Sequence, residues 1–73
     1  MPEDENALIS ASAAGQLDVV KLLIARDANV NARAWAESAR GRPGGEWRTP
    51  LNMARRGGHT DVVAVLVAAG ARE

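Results

Sequence analysis

The segment 49–71 constrains the fold of this chain more than any other feature, because it holds the start, break and end signals of two consecutive helices. Thr49 can cap the first helix with its hydroxyl, and Pro50 suits the first helical position, where no N–H needs a partner. The glycine pair at 57–58 ends that helix, and Gly70 can supply the left-handed residue that ends the second. We therefore predict helices at about 50–57 and 60–69.

The same unit occurs once more, 43 residues earlier in the chain. This shift places Leu8 on Leu51 and Gly15 on Gly58 without a gap. The remaining matches are Ala11 with Ala54, Asp18-Val19-Val20 with Asp61-Val62-Val63, Leu23 with Leu66, Ala25 with Ala68, and Ala28 with Ala71. The chain is therefore predicted to contain two copies of one helix–turn–helix module: repeat 1 (residues 6–32) and repeat 2 (residues 49–73), with repeat 2 as a C-terminal cap.

Repeat 1 follows an acidic lead-in at residues 1–5. Asn6 is the predicted N-cap of a helix that runs to about Ala14, and a second helix follows at 17–26. This second helix is apolar over most of its circumference, so it must be covered on more than one side, as in a stacked repeat. The predicted core consists of equivalent positions from both repeats: Leu8, Ala11, Val19, Val20, Leu23, Leu51, Ala54, Val62, Val63 and Leu66.

Residues 33–48, called the finger below, connect the two repeats. Partial alternation around 30–35 and 46–48 is typical of strands, and the Gly- and Pro-rich stretch 40–45 indicates a turn between them. Trp35 and Trp47 could lie on opposite arms and touch, which would add roughly 0.2–1 kcal/mol to the pairing.

Composition excludes several classes of protein. The 73 residues make at most one small domain, and the absence of cysteine excludes disulfides and thiolate metal sites. No apolar run approaches the roughly 20 residues that span a bilayer, and no signal peptide is recognisable, so we expect a cytoplasmic segment without membrane contact. The heavy use of Ala, Arg, Gly and Val indicates a GC-rich, bacterial source.

The motif Thr49-Pro50-Leu51 with Ala54, Gly58-His59, Val62-Val63, Leu66 and Gly70-Ala71 resembles the ankyrin repeat, and the stretch 28–32 resembles the ankyrin lead into its finger. The resemblance covers about 6–71. It implies an all-α solenoid of two stacked helix–turn–helix repeats joined by a long β-hairpin finger, with a binding role and no chemistry or cofactor of its own.

Three departures from the ankyrin pattern stand out. The spacing of 43 residues is about ten longer than the family period of 33, and the excess falls within 33–46. Repeat 1 offers Asn6-Ala7 in place of Thr-Pro. Asn52 stands where the family usually has histidine, so the usual bonding around that turn must be weakened or replaced.

A narrower similarity concerns 6–9, 45–51 and 70–73, which look like the last ankyrin repeats behind some bacterial antirepressor-type membrane metallopeptidases. This resemblance implies that the chain is a C-terminal fragment and that the peptidase motif lies elsewhere.

Catalysis and nucleic-acid binding are weakly supported. An enzyme needs a nucleophile, base or metal with an orienting partner, and the single histidine, His59, occupies the structural Gly-His position of the repeat turn. The stretch 41–45 lacks the Gly-Lys-Ser/Thr ending of a phosphate loop. Six arginines and two tryptophans between 33 and 56 could contact nucleic acid, but the net charge is zero and local glutamates can pair with them.

A protein-binding surface is the favoured function. Trp and Arg are the residues most enriched at binding hot spots. The predicted contact residues lie on the finger and on the inner face of the first helix of repeat 2: Arg33, Trp35, Arg40, Arg42, Trp47, Arg48, Arg55 and Arg56. The alternative is that the two tryptophans only staple the finger, and the two roles are compatible if one indole face stays exposed.

Self-assembly is the structural alternative. Two repeats are fewer than the three or so that usually cover one another, and repeat 1 has no polar residues on its outer side. We therefore expect an uncovered apolar face at the N-terminal end, to be hidden by preceding repeats, by a partner or by a second copy in a small homo-oligomer.

Overall fold

The computed structural model describes residues 2–37 and 44–72 of the chain. The described part contains four α-helices and two β-strands. In chain order they are α1 Pro2–Ala14, α2 Leu17–Ala25, β1 Ala34–Glu37, β2 Gly45–Arg48, α3 Pro50–Arg56 and α4 Thr60–Ala68. The two helix pairs and the intervening hairpin follow the order that the sequence predicts.

The start of α1 corrects one prediction. The helix begins at Pro2, four residues before the predicted N-cap Asn6, so residues 2–5 belong to the helix and do not form a separate lead-in. Proline suits the first turn of a helix because its nitrogen carries no hydrogen that would lack a partner. A run of acidic residues is also favoured in a first turn, and this sequence signal outweighs the capping tendency of Asn6.

The start of α3 has the predicted cap. The backbone N–H of Asn52 donates to Thr49 Oγ1 at 3.1 Å, and the N–H of Thr49 donates to Asn52 Oδ1 at 3.1 Å. This reciprocal capping box satisfies two N–H groups that the helix leaves unpaired. The side chain of Asn52 therefore forms the hydrogen bond to the helix N-terminus at the position where the ankyrin pattern usually has histidine.

The four described helices end in the same way. After α4, the N–H of Ala71 donates to the carbonyl of Leu66 at 2.9 Å, and the N–H of Gly70 donates to that of Val67 at 3.0 Å. This Schellman arrangement needs one residue with positive φ. At the ends of these four helices, the residues with positive φ are Gly15, Asp27, Gly58 and Gly70. Asp27, with φ of 64°, adopts the left-handed conformation in the position that glycine occupies in repeat 2.

The helices form two layers around one aliphatic core. α1 packs against α2 and α3, α3 packs against α4, and α2 contacts α4 across the repeats. The buried core cluster contains Leu8, Ala11, Val20, Leu23, Leu51, Ala54, Val62, Leu66 and Ala71. Ser12, on the same face of α1 as Leu8 and Ala11, is also fully buried.

Two predicted core residues lie at the edge of this core. Val19 is 39% exposed, so its assignment to the core is wrong. Val63 is partly buried and packs against the cluster. Val19 is exposed because no described element covers the side of α2 that faces away from repeat 2.

Candidate functional site

The hairpin of the finger has the register that brings the two tryptophans together. β1 and β2 pair antiparallel, with Trp35 opposite Trp47 and Ala34 opposite Arg48. Because side chains alternate between the two faces of a strand, both indoles project from the same face. Arg33 precedes β1 by one residue and lies on the indole side, since it is two residues from Trp35.

The two indoles form an edge-to-face pair. Their ring centroids are 5.2 Å apart with an interplanar angle of 72°. The Arg33 guanidinium lies 4.8 Å from the Trp47 ring centroid, within cation–π range. Each indole nevertheless remains 49% exposed. Arg33, Trp35 and Trp47, called the aromatic face below, thus present a preformed apolar and cationic surface to solvent.

Gly45 explains how Trp35 can lie so close to the second strand. A Cβ added at Gly45 would be 2.7 Å from Trp35 Cζ2 and 2.5 Å from the Ala36 carbonyl oxygen. Any larger residue at this position would displace the indole or the strand. The sequence indicated Gly45 only as part of a turn; its position two residues before Trp47, on the same face of the strand, was the one signal of this closer role.

The opposite face of the hairpin is anchored to α3. Arg56 forms a bidentate pair with Glu46, in which Arg56 Nη1 donates to Glu46 Oε1 at 2.7 Å and Nη2 donates to Oε2. The hydrogen bonds between the two side chains lower the pKa of Glu46 and raise the pKa of Arg56. Asn52 Nδ2 also donates to the Trp47 carbonyl oxygen at 3.0 Å. These contacts of Asn52 and Arg56 therefore fix the position of β2 relative to α3.

The eight predicted contact residues do not all share one face. Arg48 lies on the Glu46 side of the hairpin, and Arg55 is exposed on α3. Arg56 is engaged with Glu46, whereas Arg33 joins the tryptophans. Arg40 and Arg42 lie outside the described residues.

A polar cleft adjoins the aromatic face. It has a volume of about 340 Å³, and its lining residues are Asn31, Arg33, Thr49, Gly70 and Arg72. Asn31 joins its two sides, because Asn31 Nδ2 donates to the Gly70 carbonyl oxygen at 3.1 Å and Asn31 Oδ1 accepts from the Arg72 N–H at 2.6 Å. Sequence reasoning missed this cleft, since Asn31 counted only as part of the repeat pattern and Arg72 as part of the chain end.

His59 has a structural environment. Its Nε2–H donates to the Ala13 carbonyl oxygen at 3.1 Å, which links repeat 2 to the end of α1. The ring also packs so closely on Gly15 that a Cβ there would lie 2.4 Å from His59 Nδ1. Among the described residues no cluster of three His, Asp or Glu side chains could hold a metal ion. None of the described helices combines the length and apolar character needed to cross a bilayer.

Comparison with known proteins identifies the helix–turn–helix pairs. The sequence model of a family described as "Ankyrin repeats (many copies)" matches residues 8–67. The match begins within α1, ends near the end of α4 and includes the finger between the two helix pairs. No curated protein matches the chain significantly.

Proposed function

Because this chain belongs to the ankyrin repeat family, whose members generally mediate protein–protein contacts and are not enzymes, we propose that it is a non-catalytic module that binds a protein partner through the aromatic face of its finger. The observation that carries this proposal is the half-exposed pair of Trp35 and Trp47 with Arg33 stacked beside it. Large aromatic side chains that remain exposed together are typical of binding surfaces.

The geometry of the hairpin supports recognition as well as stapling. The indoles contact each other edge to face, and about half of the surface of each tryptophan remains exposed. Their positions are restricted by the strand register, by Gly45 and by the pair of Glu46 with Arg56. A surface that is already ordered loses less conformational entropy when it binds, so more of the contact energy appears as affinity.

The remaining arginines complete the proposed surface as its polar rim. Arg48, at the end of β2, and Arg55, on α3, are exposed, and Arg56 is paired with Glu46. Charges at a rim mainly raise the association rate and contribute little to final affinity. We therefore assign the affinity to the aromatic face and the steering to Arg48 and Arg55, since the charge of Arg56 is neutralised by Glu46.

The test uses a peptide selected on the folded chain from a randomised display library. Trp35→Ala and Trp47→Ala are each expected to weaken its binding by about tenfold or more, as for a hot-spot residue. Val67→Ala is the matched control, since Val67 is an exposed apolar residue on α4. Circular dichroism of the same samples should show helicity close to wild type. Unchanged binding together with a large loss of helicity would leave the tryptophans with the stapling role alone.

A second candidate function, self-assembly, rests on a different observation. Val19 and Leu22 lie one turn apart on α2 and are 39% and 50% exposed. Association through this face would cover both. Sedimentation equilibrium across a hundredfold dilution, with helicity read on the same samples, tests it. Leu22→Lys should abolish an oligomer formed in this way, whereas Ala64→Lys, which adds the same charge at the position equivalent to Lys21, should leave it intact.

A further inference from the structure

Two arginines from distant parts of the chain line the polar cleft. Arg33 comes from the start of the finger, and Arg72 comes from the segment after α4. Thr49, at the N-cap of α3, also lines the cleft. The hydrogen bonds of the Asn31 side chain to the backbone of Gly70 and Arg72 join the segment before the finger to the segment after α4.

The charge of this cleft is unbalanced within the described part of the chain. No carboxylate lines it, and neither Arg33 nor Arg72 forms an ion pair with a described side chain. Arg56 behaves differently, because its guanidinium is neutralised by Glu46. The Asn31 amide is already occupied on both sides by backbone groups. The donors that remain for a ligand are therefore the two guanidinium groups and the Thr49 hydroxyl, whose oxygen accepts from Asn52.

We propose that the cleft binds the carboxylate of an acidic side chain in the same partner segment that docks on the aromatic face. This inference rests on the proposed function and names the chemistry of its partner as an acidic and apolar peptide. Guanidinium groups bind carboxylates through short, charge-assisted hydrogen bonds, often in pairs. Arg33 connects the two sites, because its guanidinium stacks on Trp47 and the same residue lines the cleft.

A carboxylate fits the distribution of charge better than a nucleic-acid backbone does. The chain has zero net charge, and Glu46 lies on the same hairpin as the tryptophans. Proteins that bind nucleic acid neutralise a row of phosphates with a basic stripe. The cleft instead has two cationic residues in its lining and no described carboxylate, which matches a single anionic group.

The test is a nitrogen-15 NMR titration with a short capped peptide in which one glutamate is flanked by leucines, and with the same peptide carrying glutamine. We expect the glutamate peptide to shift the Gly70 amide, the Asn31 side-chain amide and the indole N–H signals. Replacing the glutamate by glutamine should weaken binding by about fivefold or more, as expected for a charged pair that is partly desolvated.

Three charge-removing variants locate the binding site. Arg72→Gln is expected to weaken the glutamate peptide by about fivefold and to leave the glutamine peptide almost unchanged. Arg33→Gln is expected to weaken the glutamate peptide at least as much and to weaken the glutamine peptide as well, because Arg33 also belongs to the aromatic face. Arg26→Gln is the matched control, because Arg26 is exposed near the end of α2, outside the cleft. Equal weakening by all three variants would indicate a general electrostatic effect and would overturn the inference.

The two proposals fail in different ways. If both peptides shift the indole signals and bind equally well, the aromatic face binds apolar segments and the acidic preference is wrong. If the glutamate peptide shifts only the cleft signals, the cleft assignment holds and the aromatic face is not the contact surface. If neither peptide shifts any signal at millimolar concentration, or if a single-stranded oligonucleotide binds more tightly and depends on Arg33, the acidic-peptide inference is overturned.

Discussion

The two repeats carry similar residues at equivalent positions, yet they bury them differently. Val62 in α4 is fully buried, whereas Val19, its equivalent in α2, is 39% exposed. Val65 is partly buried, whereas its equivalent Leu22 is half-exposed. These positions face toward the N-terminal end of the stack. In repeat 2 this side meets repeat 1, and in repeat 1 no described element covers it.

The opposite side of each repeat shows the reverse difference. Val20 in α2 is fully buried, whereas Val63, its equivalent in α4, is only partly buried. Ile24 is partly buried, whereas its equivalent Val67 is largely exposed. The burial of a residue in this fold therefore depends on which neighbour its side of the repeat meets, as expected when repeats contact only adjacent repeats.

The largest predicted effect compares one substitution at the two equivalent valines. Val62→Ala should lower the free energy of unfolding by about 2 kcal/mol, because it removes fully buried methyl groups. Val19→Ala should cost less than about 0.5 kcal/mol, because the side chain is already largely hydrated. Chemical denaturation of both variants measures the difference. A cost at Val19 equal to that at Val62 would break the comparison and would mean that the α2 face is covered in solution.

This comparison also explains the error in the predicted core. A sequence repeat assigns the same burial to the same letter, so Val19 and Val62 received the same prediction. Val19 is exposed because no described element packs against that side of α2, and the local pattern does not show which neighbour a repeat meets. The start of α1 at Pro2 was missed for a more local reason, since Asn6 and the acidic residues before it both signal a helix start.

Features that depend on neighbouring residues were predictable from the sequence. The Thr49 cap and the contact of Trp35 with Trp47 follow from local chemistry and from alternation within the finger. The polar cleft was not predictable, because Asn31 and Arg72 come from distant segments. Only the packing of repeat 1 on repeat 2 brings these groups together.

The second prediction concerns the turn between the helices of each repeat. His59 donates to Ala13 across the repeat boundary, whereas Gln16, at the equivalent position, is exposed and makes no side-chain cap. His59→Ala should cost about 1–2 kcal/mol, because the Ala13 carbonyl loses its donor and Gly15 loses a packing partner. Gln16→Ala should change stability by less than about 0.5 kcal/mol. Thermal unfolding of the two variants sharpens the comparison, and equal losses would contradict an inter-repeat role for His59.

The smallest effect concerns the residue that ends the second helix of each repeat. Gly70 has a φ of 98° and Asp27 a φ of 64°, so both adopt the left-handed conformation. Asp27 carries two costs there, since its Cβ is crowded and its charge lies near the negative end of the α2 dipole. Asp27→Gly should therefore raise the free energy of unfolding by about 0.5–1 kcal/mol, a gain reduced by the greater freedom of glycine in the unfolded chain.

Asp27→Asn separates these two costs, because it removes the charge and keeps a side chain that tolerates the left-handed conformation. If Asp27→Asn recovers the whole gain of Asp27→Gly, the difference between the repeats at this position is electrostatic, and added salt should reduce it. If only glycine recovers it, the cost is steric and insensitive to salt. Gly70→Asp completes the comparison, since it should lower stability by a similar amount if the two helix ends are equivalent. A much larger loss at Gly70 would mean that the Asn31 contact, which Gly70 makes and Asp27 does not, depends on glycine at that position.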